Sequence, residues 1–260
     1  MRRDSSFWLA RFGMALFAVV FAAGLVGCSS LPDEELYPVD ISLETIETNM
    51  QKALDPDGRY AKAKSYFQRQ TSVTENWLEE NVGESITDVW FLAPDKLKMV
   101  TRVDNRPQSG VFIDGERGWL YNYVDERESE LSEERMKLVK TLILIANPGS
   151  SLSKVFDHIS ISGCVMEEED YYRLSCRVND ADESAPALNI YIDKDDFLIK
   201  VYRIGDSMSK IVRYGMHEGV RIPVEIQTVK GGDTTRVHVV DYQLDVPISE
   251  SEFKPPYIYR

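Results

Sequence analysis

Residues 220–227 are Val-Arg-Ile-Pro-Val-Glu-Ile-Gln, with an aliphatic side chain at every second position. Successive side chains of a strand point to opposite faces of the sheet, so this spacing predicts a strand with one buried and one exposed face. The same period recurs in residues 97–103, where Leu97 and Met99 alternate with charged residues, and in residues 118–123. Such half-buried strands are typical of an antiparallel sheet.

Turn-forming residues separate these strands and predict hairpins. Together they divide the chain from Tyr60 to Val246 into about eleven strands. The turn sequences are Ala93-Pro94-Asp95, Asp104-Asn105-Arg106-Pro107, Asp114-Gly115-Glu116, Glu167-Glu168-Glu169-Asp170, Asp193-Lys194-Asp195-Asp196 and Lys230-Gly231-Gly232-Asp233.

Helical spacing predicts a helix at about Leu43–Leu54, ended by Asp55-Pro56-Asp57-Gly58. Two more helices are predicted, one at about Glu128–Ile145, where a charged stretch leads into an apolar one, and one at about Ser151–His158, after Asn147-Pro148-Gly149 and a serine that can cap it. A long antiparallel sheet curls, and its concave side must be covered. The helices are the available cover, so the pattern predicts a mainly β, α+β fold: a curved half-barrel with a helical lid.

The N-terminus has the three parts of a bacterial lipoprotein signal peptide. Basic residues near the start precede an apolar run from Met14 to Gly27, and the run ends in Leu25-Val26-Gly27-Cys28, the pattern of a lipobox. A run of about 14 residues is too short to span a ~30 Å hydrocarbon core, and this arrangement is that of a cleavable signal. The alternative is a short membrane anchor with an incidental cysteine. We therefore predict a signal peptide over residues 1–27 and a lipid-bearing Cys28.

The remaining chain begins with a polar, proline-containing stretch, residues 28–40, which we interpret as an acylated tether. The whole chain has a net charge of −13, and loss of three basic residues and one acidic residue with the signal leaves a charge near −15. Proteins that bind nucleic acids or anionic lipid surfaces usually do so through patches of Lys and Arg. The charge therefore argues against a nucleic-acid partner and is compatible with attachment through acyl chains.

Two cysteines remain, Cys164 and Cys176, on either side of the acidic turn 167–170. In an oxidising compartment an even pair is a disulfide candidate, and a hairpin would place the two across from each other. The alternative is two buried free thiols, which pack as small apolar groups.

Five segments, in this order, resemble the superfamily of periplasmic lipoprotein carriers and outer-membrane lipoprotein receptors, LolA and LolB. The resemblance covers nearly the whole chain after the signal and implies a LolA/LolB-like domain over residues 41–260. The segments are Phe91–Lys98, Asp114–Asn122, Leu188–Arg203, Ile222-Pro223, and Asp241–Ile248 followed by Phe253–Pro256.

The resemblance implies an outer-membrane lipoprotein that faces the periplasm and binds lipid, or the acyl chains of a lipoprotein, in an apolar cavity. Ligand sites are mostly apolar concavities. The alternative is a scaffold or stress-sensing lipoprotein that binds an envelope protein and whose own side chains fill the same space. The candidate cavity residues are Trp90, Leu97, Met99, Phe112, Trp119, Tyr121, Ile190, Ile192 and Tyr202.

Signs of catalysis or metal binding are weak. The three histidines, His158, His217 and His238, are far apart and lack a metal-ligand spacing. Ser150-Ser151 lacks a G-x-S-x-G context, and the acidic clusters lack a calcium-loop pattern. We therefore expect a protein that is not an enzyme and that binds no metal or cofactor.

Replacing Cys28 with Ala should release the protein from the membrane fraction or leave it unprocessed, because two or more acyl chains suffice for stable anchoring. Membrane fractionation and the mass of the mature protein measure this. Ser29 and Ser30 follow the cysteine without an Asp, so the lipidated protein should fractionate with the outer membrane on a density gradient. An unchanged mass together with unchanged fractionation of the variant would contradict lipidation.

Overall fold

A single antiparallel sheet organises the chain. The computed structural model describes residues 31–76, 79–133, 135, 136, 139, 151–154, 156–178 and 187–256. Its fourteen described strands lie in the order β1-β8-β9-β10-β11-β12-β13-β14-β2-β3-β4-β5-β6-β7. They are β1 (Glu35–Tyr37), β2 (Ser65–Asn76), β3 (Glu79–Leu92), β4 (Lys96–Val103), β5 (Arg106–Asp114), β6 (Arg117–Asn122), β7 (Arg127–Glu130), β8 (Phe156–Met166), β9 (Glu169–Val178), β10 (Leu188–Asp193), β11 (Ile199–Ile204), β12 (Ser207–His217), β13 (Val220–Lys230) and β14 (Asp233–Leu244).

The sheet does not close, since β1 and β7 are its two ends. This is the open half-barrel predicted from the sequence, with fourteen described strands in place of about eleven. The described residues also form short 3₁₀ helices at Tyr60–Lys62, Leu152–Lys154 and Glu250–Phe253.

Helix α1 spans Leu43–Leu54, the predicted residues. Ser42 caps it, because the Ser42 side chain accepts a hydrogen bond from the Thr45 backbone N–H. The buried residues Ile46, Met50 and Leu54 recur at intervals of four and form one apolar stripe. That stripe is the face with which α1 covers the sheet.

The hairpin turns lie where the sequence predicts them. Both residues of the Glu167–Glu168 turn have positive φ angles, 53° and 68°, and Gly231–Gly232 has 56° and 90°. Paired positive φ values belong to type I′ turns, whose twist matches that of the flanking strands. These tight connections hold β13 against β14 in continuous register, and β8 against β9 in continuous register from the turn to His158.

The bounds predicted for the second and third helices are wrong where the structure describes those residues. Residues Arg127–Glu130 form strand β7, which pairs with β6 through main-chain hydrogen bonds and therefore needs no apolar alternation. Described residues 133, 135, 136 and 139 are helical, and the rest of the predicted helix lies outside the described residues. Only the 3₁₀ helix Leu152–Lys154 stands in the predicted third helix, and β8 already begins at Phe156.

Part of the predicted tether is ordered as strand β1, which pairs with β8. Just before it, the Glu34 carboxylate forms ion pairs with Arg173, at 3.2 Å, and with Arg203, and accepts a hydrogen bond of 2.8 Å from the Tyr191 hydroxyl. These contacts fix the chain to the sheet six positions after Cys28, which itself lies outside the described residues.

Cys164 and Cys176 are free and buried, so the predicted disulfide is wrong and the alternative of two thiols is correct. In the β8–β9 hairpin Cys164 faces Tyr171, whereas Cys176 faces Ile159. The two cysteines are thus five positions apart along the hairpin, roughly 17 Å, and point to opposite faces of the sheet. A disulfide needs Cα atoms closer than about 7 Å.

Thiol titration tests this arrangement in a chain that begins at Ser29. Burial raises the pKa of Cys164 to about 11 and that of Cys176 to about 12, so few thiolates form at pH 8 in the folded protein. Because the thiolate is the nucleophile, we expect slow reaction in the folded state and two reactive thiols in denaturant without reductant. A denatured protein with no reactive thiol would contradict the structure.

Candidate functional site

The candidate site is the face of the sheet that carries helix α1, here called the covered face. Two apolar clusters lie on it. The helix-side cluster joins Ile46 and Met50 of α1 to buried residues of β8–β14: Phe156, Leu174, Cys176, Ile190, Ile192, Ile199, Tyr202, Ile211, Ile226 and Val237. The central cluster comprises Tyr60, Tyr66, Val89, Phe91, Leu97, Met99, Ile113, Leu131, Met136, Val139, Val220, Ile222, Val224 and Tyr242.

The central cluster is covered by the segment that follows β7, through Leu131, Met136 and Val139. That cover lies very close to the sheet. A Cβ atom at Gly118 would lie 2.2 Å from the sulfur of Met136 and 2.8 Å from Leu131 Cδ1. With these two side chains in place there is no room for a Cβ atom, so the glycine at residue 118 allows Leu131 and Met136 to pack closely on β6.

Beyond the central cluster, the covered face carries a row of polar, uncharged side chains. Ten hydroxyl residues and one amide form a row across the seven adjacent strands β12, β13, β14, β2, β3, β4 and β5, here called the hydroxyl band. Its members are Ser207, Ser209, Thr228, Thr235, Thr74, Ser72, Gln70, Ser85, Thr87, Thr101 and Ser109.

Most of the hydroxyl band is buried, and eight of its members hydrogen-bond to one another in pairs. Hydroxyl oxygens lie within hydrogen-bond distance in four cross-strand pairs, at 2.8 to 3.0 Å: Ser209 with Thr228, Thr74 with Thr235, Ser72 with Ser85, and Thr87 with Thr101. Buried polar groups are tolerated when they are hydrogen-bonded. The covered face is thus amphipathic, with apolar clusters beside a neutral band of hydroxyl groups.

Five of the nine sequence-predicted cavity residues lie on the covered face. Leu97 and Met99 belong to the central cluster, and Ile190, Ile192 and Tyr202 belong to the helix-side cluster. The structure therefore brings these five to one side of the sheet, although in two separate clusters.

The other four, Trp90, Phe112, Trp119 and Tyr121, point to the opposite, outer face. Trp90 and Phe112 both pair with Lys98, whose neighbours Leu97 and Met99 face the other way, and Phe112 pairs with Trp119. They cannot line the same hollow as Met99, so the expectation of a single lining that includes them is corrected.

A second cover explains why the outer face is also apolar. The 3₁₀ helix Glu250–Phe253 packs against β4 and β5, and Phe253 is completely buried. Lys98 forms an ion pair with Glu252, and Lys96 lies 3.5 Å from Glu250. Large side chains on β3–β6 consequently occupy both faces, and strand periodicity alone cannot say which face is the site.

The described residues place no obvious acid or metal chemistry on the covered face. The buried carboxylate of Asp88, 1% exposed, belongs to the outer face, where Arg69 binds it through two hydrogen bonds of 2.6 and 3.0 Å and Arg102 pairs with it. Burial raises the pKa of the Tyr66 phenol in the central cluster to about 12, so it stays neutral. Among the described residues no group of three His, Cys, Asp or Glu is placed to hold a metal ion.

Solved structures share this fold at low sequence identity. A LolA superfamily protein from Nitrosomonas europaea is 12% identical, matches 83% of this chain and 99% of its own, and has a TM-score of 0.59. A DUF1329 family protein from Desulfovibrio piger is 11% identical over 82% of this chain and 97% of its own, with a TM-score of 0.57.

A third structure, a domain described as an outer-membrane lipoprotein-sorting protein from Vibrio parahaemolyticus, has a TM-score of 0.54. It is 12% identical and matches 82% of this chain and 97% of its own. No protein-family model matches the sequence, and no curated protein does. The chain has the fold of the LolA superfamily, which confirms the resemblance of its sequence at the level of the fold.

Replacing Phe253 with Ala tests the second cover. Removing a fully buried phenylalanine should lower the free energy of unfolding by about 3–5 kcal/mol, measured by urea denaturation. The control is Glu252→Gln in the same 3₁₀ helix, which removes a partly exposed ion pair and should cost less than about 1 kcal/mol. Equal small effects of both substitutions would show that the C-terminal segment does not cover the sheet.

Proposed function

We propose that this protein is an outer-membrane-anchored lipoprotein whose covered face binds the acyl chains of a lipid or of an acylated lipoprotein. The observation that carries the proposal is the apolar covered face of an open sheet, whose two clusters are covered by α1 and by Leu131, Met136 and Val139.

The free energy for binding would come from burial. Each methylene group moved from water into an apolar site contributes about 0.8 kcal/mol, so a chain of ten buried methylenes gains roughly 8 kcal/mol before the costs of association. The acidic charge of the protein does not oppose this, since acyl chains are neutral. The same arithmetic supports the proposed anchor on Cys28.

To uncover the sheet, α1 would have to move about a fixed point, and we propose that its C-terminal end is that point. The buried carboxylate of Asp55 accepts hydrogen bonds from the backbone N–H groups of Arg59, Tyr60 and Ala61, at 2.7 to 3.2 Å. At the other end, the described cap is the Ser42 hydroxyl. In the proposed mechanism α1 moves about Asp55 and uncovers the helix-side cluster through Ile46 and Met50.

The competing function is a scaffold or stress-sensing lipoprotein with a filled core. Its support is the complete burial of Leu97, Ile190 and Ile192, which are 0% exposed. As a carrier, the protein would open its covered face to admit a ligand, whereas as a scaffold it would keep this face filled. Two neighbouring residues of β4 allow these alternatives to be compared directly.

Met99 and Val100 are a matched pair for this test. Each is 3% exposed, but Met99 faces the covered side and Val100 the outer side. All described strands lie within residues 31–256, so a chain that begins at Ser29 keeps every described contact. If the covered face is a ligand site, Met99→Glu should reduce the affinity of this chain for a fluorescent fatty acid at least tenfold while lowering stability less than Val100→Glu does.

The physical reason is that an unpaired charge in a filled core costs several kcal/mol, whereas a face that opens to admit a ligand tolerates some water. Probe titration and melting temperature, measured on both variants, separate the two cases. Absence of saturable probe binding to the unsubstituted chain, with equal destabilisation by both substitutions, would reject the carrier function and favour the scaffold.

A further inference from the structure

The covered face of β12 and β13 changes from apolar to polar along the strands. Ile211 and Ile226 pair with each other in the helix-side cluster, and two positions further Ser209 pairs with Thr228. Their hydroxyl oxygens are 2.8 Å apart. Such a pair uses only one of its two hydroxyl protons, so the other can be donated to a ligand.

Ser207 continues this pattern and has no partner. It is 1% exposed, and its hydroxyl oxygen forms no hydrogen bond. A buried polar atom without a partner is costly, and such an atom in a folded protein requires an explanation. The register of Ser209 with Thr228 and of Met208 with Val229, continued by one position, places Ser207 opposite Lys230.

Lys230 is half-buried and ends the same row of side chains, since it follows Ile226 and Thr228 at alternate positions of β13. Among the described residues no carboxylate forms an ion pair with its ammonium group. Burial lowers its pKa, and Asp206 in the adjacent turn opposes that shift only in part. A cation that is partly removed from water and lacks an ion-pair partner is favourably placed for an anion.

We infer that Ser207, Ser209, Thr228 and Lys230 bind the phosphate ester headgroup of an acyl lipid, here called the headgroup subsite. The inference rests on the proposed function and specifies its ligand. The acyl chain then lies along Ile211 and Ile226 beneath α1.

Dimensions and charge agree with this ligand. Lys230 and Ile226 are four residues apart on one strand, about 13 Å, which a single acyl glycerophosphate spans from headgroup to chain. One ammonium group matches the single negative charge of a phosphodiester, and hydroxyl donors serve its remaining oxygens. A larger cluster of cations is not needed, and it would be unusual on a chain with a net charge of −13.

The experiment compares two fluorescent probes that share one acyl chain, a lysophosphatidylglycerol and the corresponding methyl ester, binding to the chain that begins at Ser29. We expect the phosphate probe to bind about tenfold more tightly, the usual effect of one charge-assisted hydrogen-bonded contact. Lys230→Met should remove this preference and leave the affinity for the methyl ester unchanged. Lys230→Arg should retain most of it.

Lys210→Met is the matched control. Lys210 lies on the same hairpin and its loss changes the net charge equally, but it points to the outer face, where it pairs with Glu167 at 3.2 Å. The ratio of the two affinities should not change in this variant, and the melting temperatures of all variants report on folding.

The outcomes separate the inference from the proposed function. Equal binding of both probes by the unsubstituted chain would overturn the headgroup subsite and leave the acyl site intact, whereas binding of neither probe would reject the proposed function itself. If Lys210→Met changed the ratio of the two probe affinities as much as Lys230→Met does, the preference for the phosphate probe would be an effect of net charge alone. That outcome would overturn the headgroup subsite. Glycerol 3-phosphate has the phosphate ester but no acyl chain. If it displaced the phosphate probe at equal concentration, the subsite would bind a free phosphate ester, and the inference of a lipid ligand would be overturned.

Discussion

An open sheet must cover two faces and protect two edges, and the rest of this structure depends on how it does so. Closure into a barrel would remove the edges, but here β1 and β7 remain at the ends of the sheet. Both are short, at three and four residues, and β7 exposes only charged residues and a serine. Short, charged edge strands are a known means of preventing further strand addition.

Both faces are covered through a mixture of apolar and polar contacts. On the outer face, Glu34 pairs with Arg173 and Lys98 with Glu252, and Phe253 is completely buried. On the covered face, Ile46 and Met50 of α1 and the residues Leu131, Met136 and Val139 make apolar contacts, and Glu47 of α1 accepts hydrogen bonds from Ser151 and Ser153. Apolar contact is non-directional, so a ligand chain can replace a lid side chain without leaving a polar group unsatisfied. The extent of this apolar contact is the reason why we propose the covered face as the binding face.

The hydroxyl band makes one part of the covered face polar, beside the apolar clusters. A wholly apolar face would bind any hydrocarbon, whereas in the proposed function a face that ends in hydroxyl groups and Lys230 would distinguish the two ends of an amphiphile. The overall acidity of the chain would then add to specificity, because anionic surfaces are repelled and only an anion carried by an apolar chain would gain from both regions.

The sequence by itself determined helix α1, the hairpin turns and the antiparallel class of the sheet. These depend on local rules: a serine cap and a four-residue apolar spacing for the helix, and residues that tolerate positive φ for turns such as 167–168 and 231–232. The edge strand Arg127–Glu130 escaped those rules, because only main-chain pairing with β6 makes it a strand.

Only the tertiary structure decided the sidedness of the site. Alternation shows that Leu97 and Met99 share a face, but it cannot show that Phe112 and Trp119 share the other one, since that depends on the register between β4, β5 and β6. Cys164 and Cys176 were likewise separated by the register of one hairpin. Contacts between residues far apart in sequence set the strand register, and they also set which distant segments, such as the one with Phe253, cover the sheet. A local sequence pattern does not predict such contacts.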